Sequence, residues 1–584
     1  MISLLCQYHS TNLHLPNFTS NMLRKHLAIG IIFLFSFFCS VAQSDVPHGW
    51  HLLDYAKDSF YGISLDKAYQ FLKEKDKRSK TVLVAVLDGG VDTTQEDLKN
   101  ILWRNPKEIA GNGKDDDKNG YADDIFGWNF LGGKDGRDLK KASDERSRVY
   151  HRFKTRFSVP GFDSSTLNEN EKFQFAMWQR AAKELNKSGE EQMEIMFLEM
   201  TAKAIKKHDK VLREDLGIDE YTCEKLETLE PKTKQGRDAK FGYLSCMKMI
   251  GIDPDEKNTT TITELDEYVE GKKESINAKD NPPPDYRADF IKDDYSNIND
   301  KFYGNPDVMG PTPMHGTHVT GIIAAERNNG LGMDGVADNV KVMMLRVVPD
   351  GDEYDKDIAL GIFYAVDNGA KVINMSFGKS YSPDKRWIDS AVHYAELKDV
   401  LIVHAAGNES TDIDSKENYP NAAYLNSAAK ATNFITVGAS SDPRLKGGGL
   451  VAEFSNYGKE SVDVFAPGVK IYSTLPGKEE YGNLQGTSMA APVVAGLAAM
   501  IRSYFPDLSA QQVKLAIEQS VTVPDPSVKA IKPGTKNESV SFTELCKTGG
   551  IINAYGAVVA ASKMKPLKQN EKLPRSSFKN TKSN

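Results

Sequence analysis

The apolar positions of this chain gather into short unbroken runs. From Thr81 the sequence reads TVLVAVLDGGVD, and Val82 to Leu87 is continuously apolar and rich in β-branched residues. A strand without polar alternation is one buried on both faces, as in a parallel α/β sheet. Runs of the same kind recur at Val340 to Val347, Val372 to Phe377, Val400 to Ala405, Phe434 to Val437 and Val462 to Phe465. Helical patterns separate several of them, such as Asp357 to Asn368 and Trp387 to Leu397. Strands alternating with helices predict an α/β fold: a doubly wound, mostly parallel sheet with helices on both faces.

Between about residues 136 and 284 the pattern changes. The segment is dense in Lys, Glu and Asp. Met193, Met196, Phe197, Met200 and Ala204 follow i, i+3, i+4 spacing, which predicts an amphipathic helix with that stripe as its packing surface. Asn281-Pro282-Pro283-Pro284 stops any helix and has the character of a linker. The expected organisation is a sheet domain in two parts, 43–135 and 285–564, around a charged, mostly helical insertion at 136–284. The basic, polar stretch 565–584 is expected to be a flexible tail.

At the N-terminus, Arg24, Lys25 and His26 precede an apolar run from Leu27 to Phe38, followed by Ser40-Val41-Ala42. A basic start, a short apolar stretch and a small-x-small site predict a signal peptide over 1–42, cleaved after Ala42. Met22 directly precedes the basic cluster and is an alternative start. The run is short for a membrane span, so the expectation is an exported protein, periplasmic or secreted, with no stable span once the signal is removed. Phe38 is bulky where a lipoprotein signal ending at Cys39 needs a small residue. Beyond the signal three cysteines remain, Cys223, Cys246 and Cys546. Export permits a Cys223–Cys246 disulfide, which geometry must decide. Their scatter gives no zinc-ligand spacing. The formal net charge is -7. No basic excess points to a nucleic-acid partner, and oligomeric state is left open.

Three glycine-flanked stretches carry candidate chemistry. Asp88-Gly89-Gly90-Val91-Asp92 puts an acid at the end of a buried strand. His315-Gly316-Thr317-His318-Val319-Thr320-Gly321 and Gly486-Thr487-Ser488-Met489-Ala490-Ala491-Pro492 each open a small-residue helix. Singly, each has an ordinary explanation as a cap, a satisfied polar residue or a turn. Together they offer one acid, one imidazole and one hydroxyl.

DGGVD, HGTHVTGIIAA and GTSMAAPVVAG resemble the three signature motifs of the subtilisin-like serine proteases, over roughly residues 60–125 and 285–562. The chain order acid, histidine, serine is the same. The resemblance implies a serine endopeptidase with protein or peptide substrates. Asp88, His315 and Ser488 would form its catalytic triad, and no cofactor would be needed for the chemistry. Asn408, in LIVHAAGNES, would donate its amide to the oxyanion, and His318 would be structural. Ser376, Phe377 and Gly378 would form a strand that pairs with an extended substrate and borders the S1 pocket. Ala405, Ala406 and Gly407 would form the opposite wall. The acidic loop Asp350 to Asp355 falls where the family forms its non-prime pockets. It is read either as a preference for basic substrate side chains or as a solvated loop. Where the family has Thr or Ser after the catalytic acid, this chain has Gly89.

Asn112 to Asp124 reads NGKDDDKNGYADD. Alternating oxygen donors about a glycine suit Ca²⁺. Asp115, Asp117, Asn119, Tyr121, Asp123 and Asp124 are the candidate ligands of a structural ion, against the alternative of a plain acidic turn. Two departures from the family stand out. Too little chain separates residue 43 from the sheet domain for a folded pro-domain, and the insertion parts Asp88 from His315. It is expected either to cap the cleft or to take over an inhibitory or chaperoning role. The rival function is a catalytically silent binding protein on the same fold.

Overall fold

The computed structural model describes residues 46–567, apart from 186–188, 253–255 and 446–447. The predicted signal peptide, 1–42, and the predicted tail, 565–584, from residue 568 on, lie outside the described residues. From His48 onward the chain forms one compact unit.

Its centre is a seven-stranded sheet: β1 (Val82–Asp88), β2 (Gly127–Asn129), β3 (Val340–Arg346), β4 (Val372–Met375), β5 (Leu401–Ala405), β6 (Phe434–Ser440) and β7 (Val464–Pro467). The order is β2-β3-β1-β4-β5-β6-β7, and every neighbouring pair is parallel. The expected doubly wound sheet is present. Order reverses at β1, whose neighbours β3 and β4 both come from later in the chain. At such a switch point the loops beyond the strand ends diverge and leave a crevice. Asp88 is the last residue of β1, so the sequence puts it at that crevice.

Side chains alternate across the sheet. Ala85 and Leu87 join the buried cluster of Ile358, Ile362, Trp387 and Ile388. These belong to α7 (Asp355–Asp367) and α8 (Lys385–Leu397). Val84 and Val86 point to the other face, where α9 (Thr487–Tyr504) crosses the strands and packs on α6 (Met314–Ala324). Both α6 and α9 are made of small and β-branched residues, which lets them lie close to the sheet.

Six helices are described between 136 and 284: a short one over Cys223–Thr228 and the longer α1 (Glu145–Phe157), α2 (Glu169–Leu185), α3 (Gly189–Leu216), α4 (Lys234–Ile250) and α5 (Asn258–Asn277). On α3 the structure reverses the expected packing face. Met193, Met196, Phe197 and Met200 are exposed, while Ile195, Ala202, Ile205 and Leu212 are buried. Both stripes have helical spacing. The buried one finds Tyr221, Tyr243 and Met247 to pack against. Cys223 and Cys246 belong to the same small core, and both are free, as is Cys546. The disulfide that export would permit between Cys223 and Cys246 is therefore not formed.

The insertion is fixed to the sheet domain through α1. Val149, Phe153 and Phe157 pack with Tyr381 and Tyr419. Glu145 N donates to Asp352 (2.6 Å), and the Glu145 carboxylate meets the fully buried Lys379 Nζ (2.8 Å). Lys379 also binds Asp355 (2.8 Å) and the Glu353 carbonyl (2.5 Å), and Arg152 binds Asp384 (2.5 Å). Arg148 and Lys379 overcome the cost of burial and hold the Glu145 carboxyl down at about 2. The loop Asp350 to Asp355 thus matches neither expectation. Glu353, Tyr354 and Asp355 are buried, while Asp350 and Asp352 bind Lys140 and the Glu145 N–H of the insertion.

Candidate active site

The C-terminal ends of β1 and β4 are adjacent, with Leu87 in register with Met375. The next residues, Asp88 and Ser376, therefore end neighbouring strands, which lie about 4.8 Å apart. Asp88 is buried. Its Oδ1 accepts from Gly89 N (2.7 Å), and His315 Nδ1 lies 2.8 and 2.9 Å from its two oxygens. Of the His315 side chain 38% is exposed, against 2% of Asp88, so the acid is sealed behind an imidazole that faces the cleft. Burial works against protonating His315, but the charge and hydrogen bond of Asp88 outweigh it, and the pKa is raised. Gly316 is required here. A Cβ there would lie 2.1 Å from the Gly90 carbonyl and 3.2 Å from Asp88 Cβ, so α6 could not seat His315 on the acid. Thr317 accepts from Asp92 N (2.9 Å) and fixes the same contact. With glycine at 89, no side-chain hydroxyl follows the acid, and the backbone N–H supplies the support.

Ser488 is the second residue of α9. Its hydroxyl donates to the Ser376 carbonyl (3.0 Å), and the Ser376 hydroxyl donates to the Ser488 carbonyl (2.9 Å). Pro492 explains the second bond. It stands at the sixth position of α9 and has no N–H for the carbonyl four residues back. The residue four back is Ser488, so its free carbonyl takes Ser376 instead. Asn374 Nδ2 in turn donates to the Ser376 hydroxyl (2.9 Å). The nucleophile helix and the end of β4 are thereby cross-linked.

Asn408 follows β5. Its Oδ1 accepts from Thr487 N (2.9 Å) and Thr487 Oγ1 (3.0 Å), which turns the amide nitrogen the other way. Asn408 Nδ2 and Ser488 N each lie 3.5 Å from the point where a Cβ on Gly486 would sit. Two N–H donors thus flank one vacant position beside the serine. Gly486, at φ 152°, keeps that position clear.

Ser376 to Gly378 and Ala405 to Gly407 end neighbouring strands, as expected of two facing walls. Asn418, which sequence reasoning missed, lies between them. Its Nδ2 donates to the Ala406 carbonyl (2.9 Å), and its Oδ1 is 3.0 Å from where a Gly378 Cβ would sit. His318 is fully buried, with Nε2 against the Gly482 carbonyl (3.2 Å), in a structural position.

The calcium-candidate loop divides. The Asp115 carboxylate accepts from Asn119 N and Gly120 N. Asp123 accepts from Asn112 N and Gly113 N. Asp124 is buried and held by Asn105, Asn119 and Tyr364. Tyr121 packs among Trp128, Phe130 and Tyr364, with its hydroxyl on the Lys301 carbonyl. Asp115 and Asp117 converge instead with Glu108, which the sequence pattern did not suggest, one carboxylate oxygen of each within 4.8 Å of the others.

A family model described as the subtilase family matches residues 79–557. The chain belongs to the subtilase family. Among curated relatives of this subtilase, a thermophilic serine proteinase of Bacillus sp. (strain AK1) is 39% identical over 246 residues, 42% of this chain and 52% of that protein. Thermitase of Thermoactinomyces vulgaris is 37% identical over 245 residues, 42% of this chain and 74% of the relative. Subtilisin DY of Bacillus licheniformis is 39% identical over 210 residues, 36% and 70% of the two chains. The subtilase thus spans about half the length of the first of these. It belongs to a family of serine peptidases, and the sheet order and parallel strands are the α/β fold expected of a member. Among the described residues, no helix of the subtilase is long and apolar enough to cross a membrane.

Proposed function

We propose that the chain is an exported serine endopeptidase acting through Asp88, His315 and Ser488. The observation that carries this is the placement of an exposed imidazole on a sealed carboxylate, one strand away from a serine flanked by two converging N–H donors. The N-terminal pattern of residues 24–42 supports export.

A serine hydroxyl is a poor nucleophile at neutral pH and needs a base. Once the Ser488 hydroxyl leaves the Ser376 carbonyl, His315 Nε2 takes its proton. Ser488 Oγ then bonds to the scissile carbonyl carbon. Asp88 accepts from Nδ1, which fixes the tautomer and stabilises the imidazolium. Asn408 Nδ2 and Ser488 N receive the oxyanion. The tetrahedral species collapses as His315 returns the proton to the leaving amine, and an acyl-enzyme remains. Water, deprotonated by the same histidine, releases the acid and restores Ser488. A fluorophosphonate tests the proposal directly: it should label Ser488 in the folded chain and leave Ser488→Ala unlabelled. A folded wild-type chain that takes no label would favour the silent binding protein.

Asn408→Leu removes one donor and keeps the bulk. We expect kcat to fall on the order of 10²–10³-fold with KM little changed, a magnitude carried over from subtilisin. An unchanged kcat removes Asn408 from the mechanism. Asn418 narrows the slot between the two walls, which favours a small side chain next to the scissile bond. Asn418→Gly is expected to raise kcat/KM for a Phe-containing substrate relative to an Ala-containing one by about tenfold or more. Equal ratios in the two enzymes would show that Asn418 does not close the pocket.

We further propose a structural Ca²⁺ on the loop after β1. Of the six candidates, Asp115 and Asp117 suit it, joined by Glu108. One oxygen of each of these three carboxylates lies within 4.8 Å of the others, and Ca²⁺ would complete its six to eight oxygens from carbonyls and water. The melting temperature should fall in EDTA and recover with added Ca²⁺. An unchanged melting temperature in both would exclude the ion.

A further inference from the structure

The two points where α1 grips the sheet domain are the loop 350–355 and the segment just after Gly378. Between these anchors and the rest of the insertion is a cavity of about 1130 Å³. Small-molecule pockets run to about 300–1,000 Å³, so this one is large even for a bound cofactor. One side is lined by Gly351, Gly378 and Asn418, the other by Lys140 and the stretch Asp266 to Lys272 of α5. Gly378 and Asn418 also belong to the slot described above. The cavity therefore adjoins that slot and is roofed by the insertion.

Its charge is uneven. Carboxylates outnumber cationic side chains along the lining. The cations are largely committed: Lys379 to Glu145 and Asp355, and Lys140 to Glu267 and Asp350. Three of the carboxylates instead have neutral donors as their nearest partners. Glu184 accepts from Tyr381 Oη (2.6 Å), Glu409 from Asn456 Nδ2 (2.5 Å) and Glu417 from Tyr419 Oη. Arg180 reaches Glu417 only at 3.4 Å. A concave, partly enclosed wall of one charge sign focuses its field on whatever enters.

We propose that the insertion is the outer wall of the substrate groove. The cavity beneath it takes the stretch of polypeptide that precedes the scissile bond and selects basic side chains there through Glu184, Glu409 and Glu417. This rests on the proposed peptidase function and adds a substrate class to it: extended polypeptides with Lys or Arg upstream of the cleaved bond. Asp350 and Asp352 also line the cavity, but Lys140 and the Glu145 N–H already engage them.

The test uses the full chain and peptides sharing one cleavage sequence, extended upstream by several residues that include Lys, Ala or Glu. The Lys peptide should show kcat/KM about tenfold above the Ala peptide at low ionic strength, with the Glu peptide lowest. The preference should shrink as salt screens it and in a Glu184→Gln/Glu417→Gln variant, whose folding is checked by its melting curve. A peptide truncated to two upstream residues should lose the preference. Equal cleavage of the three extended peptides at low salt overturns the proposal. Fluorophosphonate labelling of the same sample separates the two levels. Labelled enzyme without preference removes the acidic groove and keeps the peptidase, whereas a chain that takes no label removes both.

Discussion

Replacing Ser488 with alanine should lower kcat/KM for peptide hydrolysis on the order of 10⁶-fold while leaving the fold in place. The magnitude is carried over from the subtilisin triad. The structural cost is small because the hydroxyl makes one hydrogen bond, to the Ser376 carbonyl, worth about 1 kcal/mol. The link between α9 and β4 survives, since the Ser376 hydroxyl still reaches the carbonyl of residue 488. Kinetics with a chromogenic peptide and a melting curve on the same preparation check both halves. Residual hydrolysis within tenfold of wild type would mean that another group is the nucleophile.

The second large effect is acid lability. Three histidines are buried with ring nitrogens that meet no partner: both nitrogens of His51 and His404, and Nδ1 of His318. Burial lowers their pKa values to about 3 for His51 and His318 and about 4 for His404. An unfolded histidine titrates near 6.5. Between these values the unfolded chain binds protons that the folded chain refuses, so stability is present above pH 6.5 and is lost as pH falls. Acids raised by burial oppose this, among them Asp352, Asp355, Asp357 and Glu518 as well as Glu353 and Asp124. Burial raises Glu353 to about 7 and Asp124 to about 6, so the folded state takes up their protons first and gains stability as pH falls toward about 4.5. Below that their help ends. Glu145 and Asp463, held near 2 by cationic neighbours against the cost of burial, begin to lose theirs. The expected profile is shallow from pH 6.5 to 4.5, where the two sets of groups offset each other. Below 4.5 it falls, because the unfolded chain then takes up protons at these histidines, Glu145 and Asp463 that the folded chain refuses. Thermal melts at pH 7, 5 and 4 measure it, and a flat melting temperature down to pH 4 would show that these groups are not buried in neutral form.

The buried strands were legible in the sequence because a parallel sheet covered on both faces leaves unbroken apolar runs. β2 was not, since three residues, Gly127–Asn129, carry no period. The face of α3 was misjudged for a related reason. Both of its stripes are apolar, and only the neighbours Tyr221 and Tyr243 decide which is buried. The acid, imidazole and hydroxyl could be found because their motifs are local. Lys379 and Asn418 could not, because each takes its meaning from distant residues. Lys379 acts through Glu145, more than two hundred positions upstream, and Asn418 through the strand ends at Ala406 and Gly378. Glu108 escaped for the opposite reason. It stands just ahead of the acidic run, and the fold of the loop brings it back.

The switch-point position of β1 bears on how the molecule assembles. Both of its strand neighbours are encoded after the insertion, so a chain emerging N-terminus first presents this apolar segment long before either partner exists. At about 5–20 residues per second the wait is on the order of tens of seconds. The helices of the insertion are built from local contacts and form quickly in that interval. An unpaired, wholly apolar strand is meanwhile a template for aggregation. The protein's yield should therefore be governed less by its final stability than by whatever shelters Val82 to Leu87 during that gap.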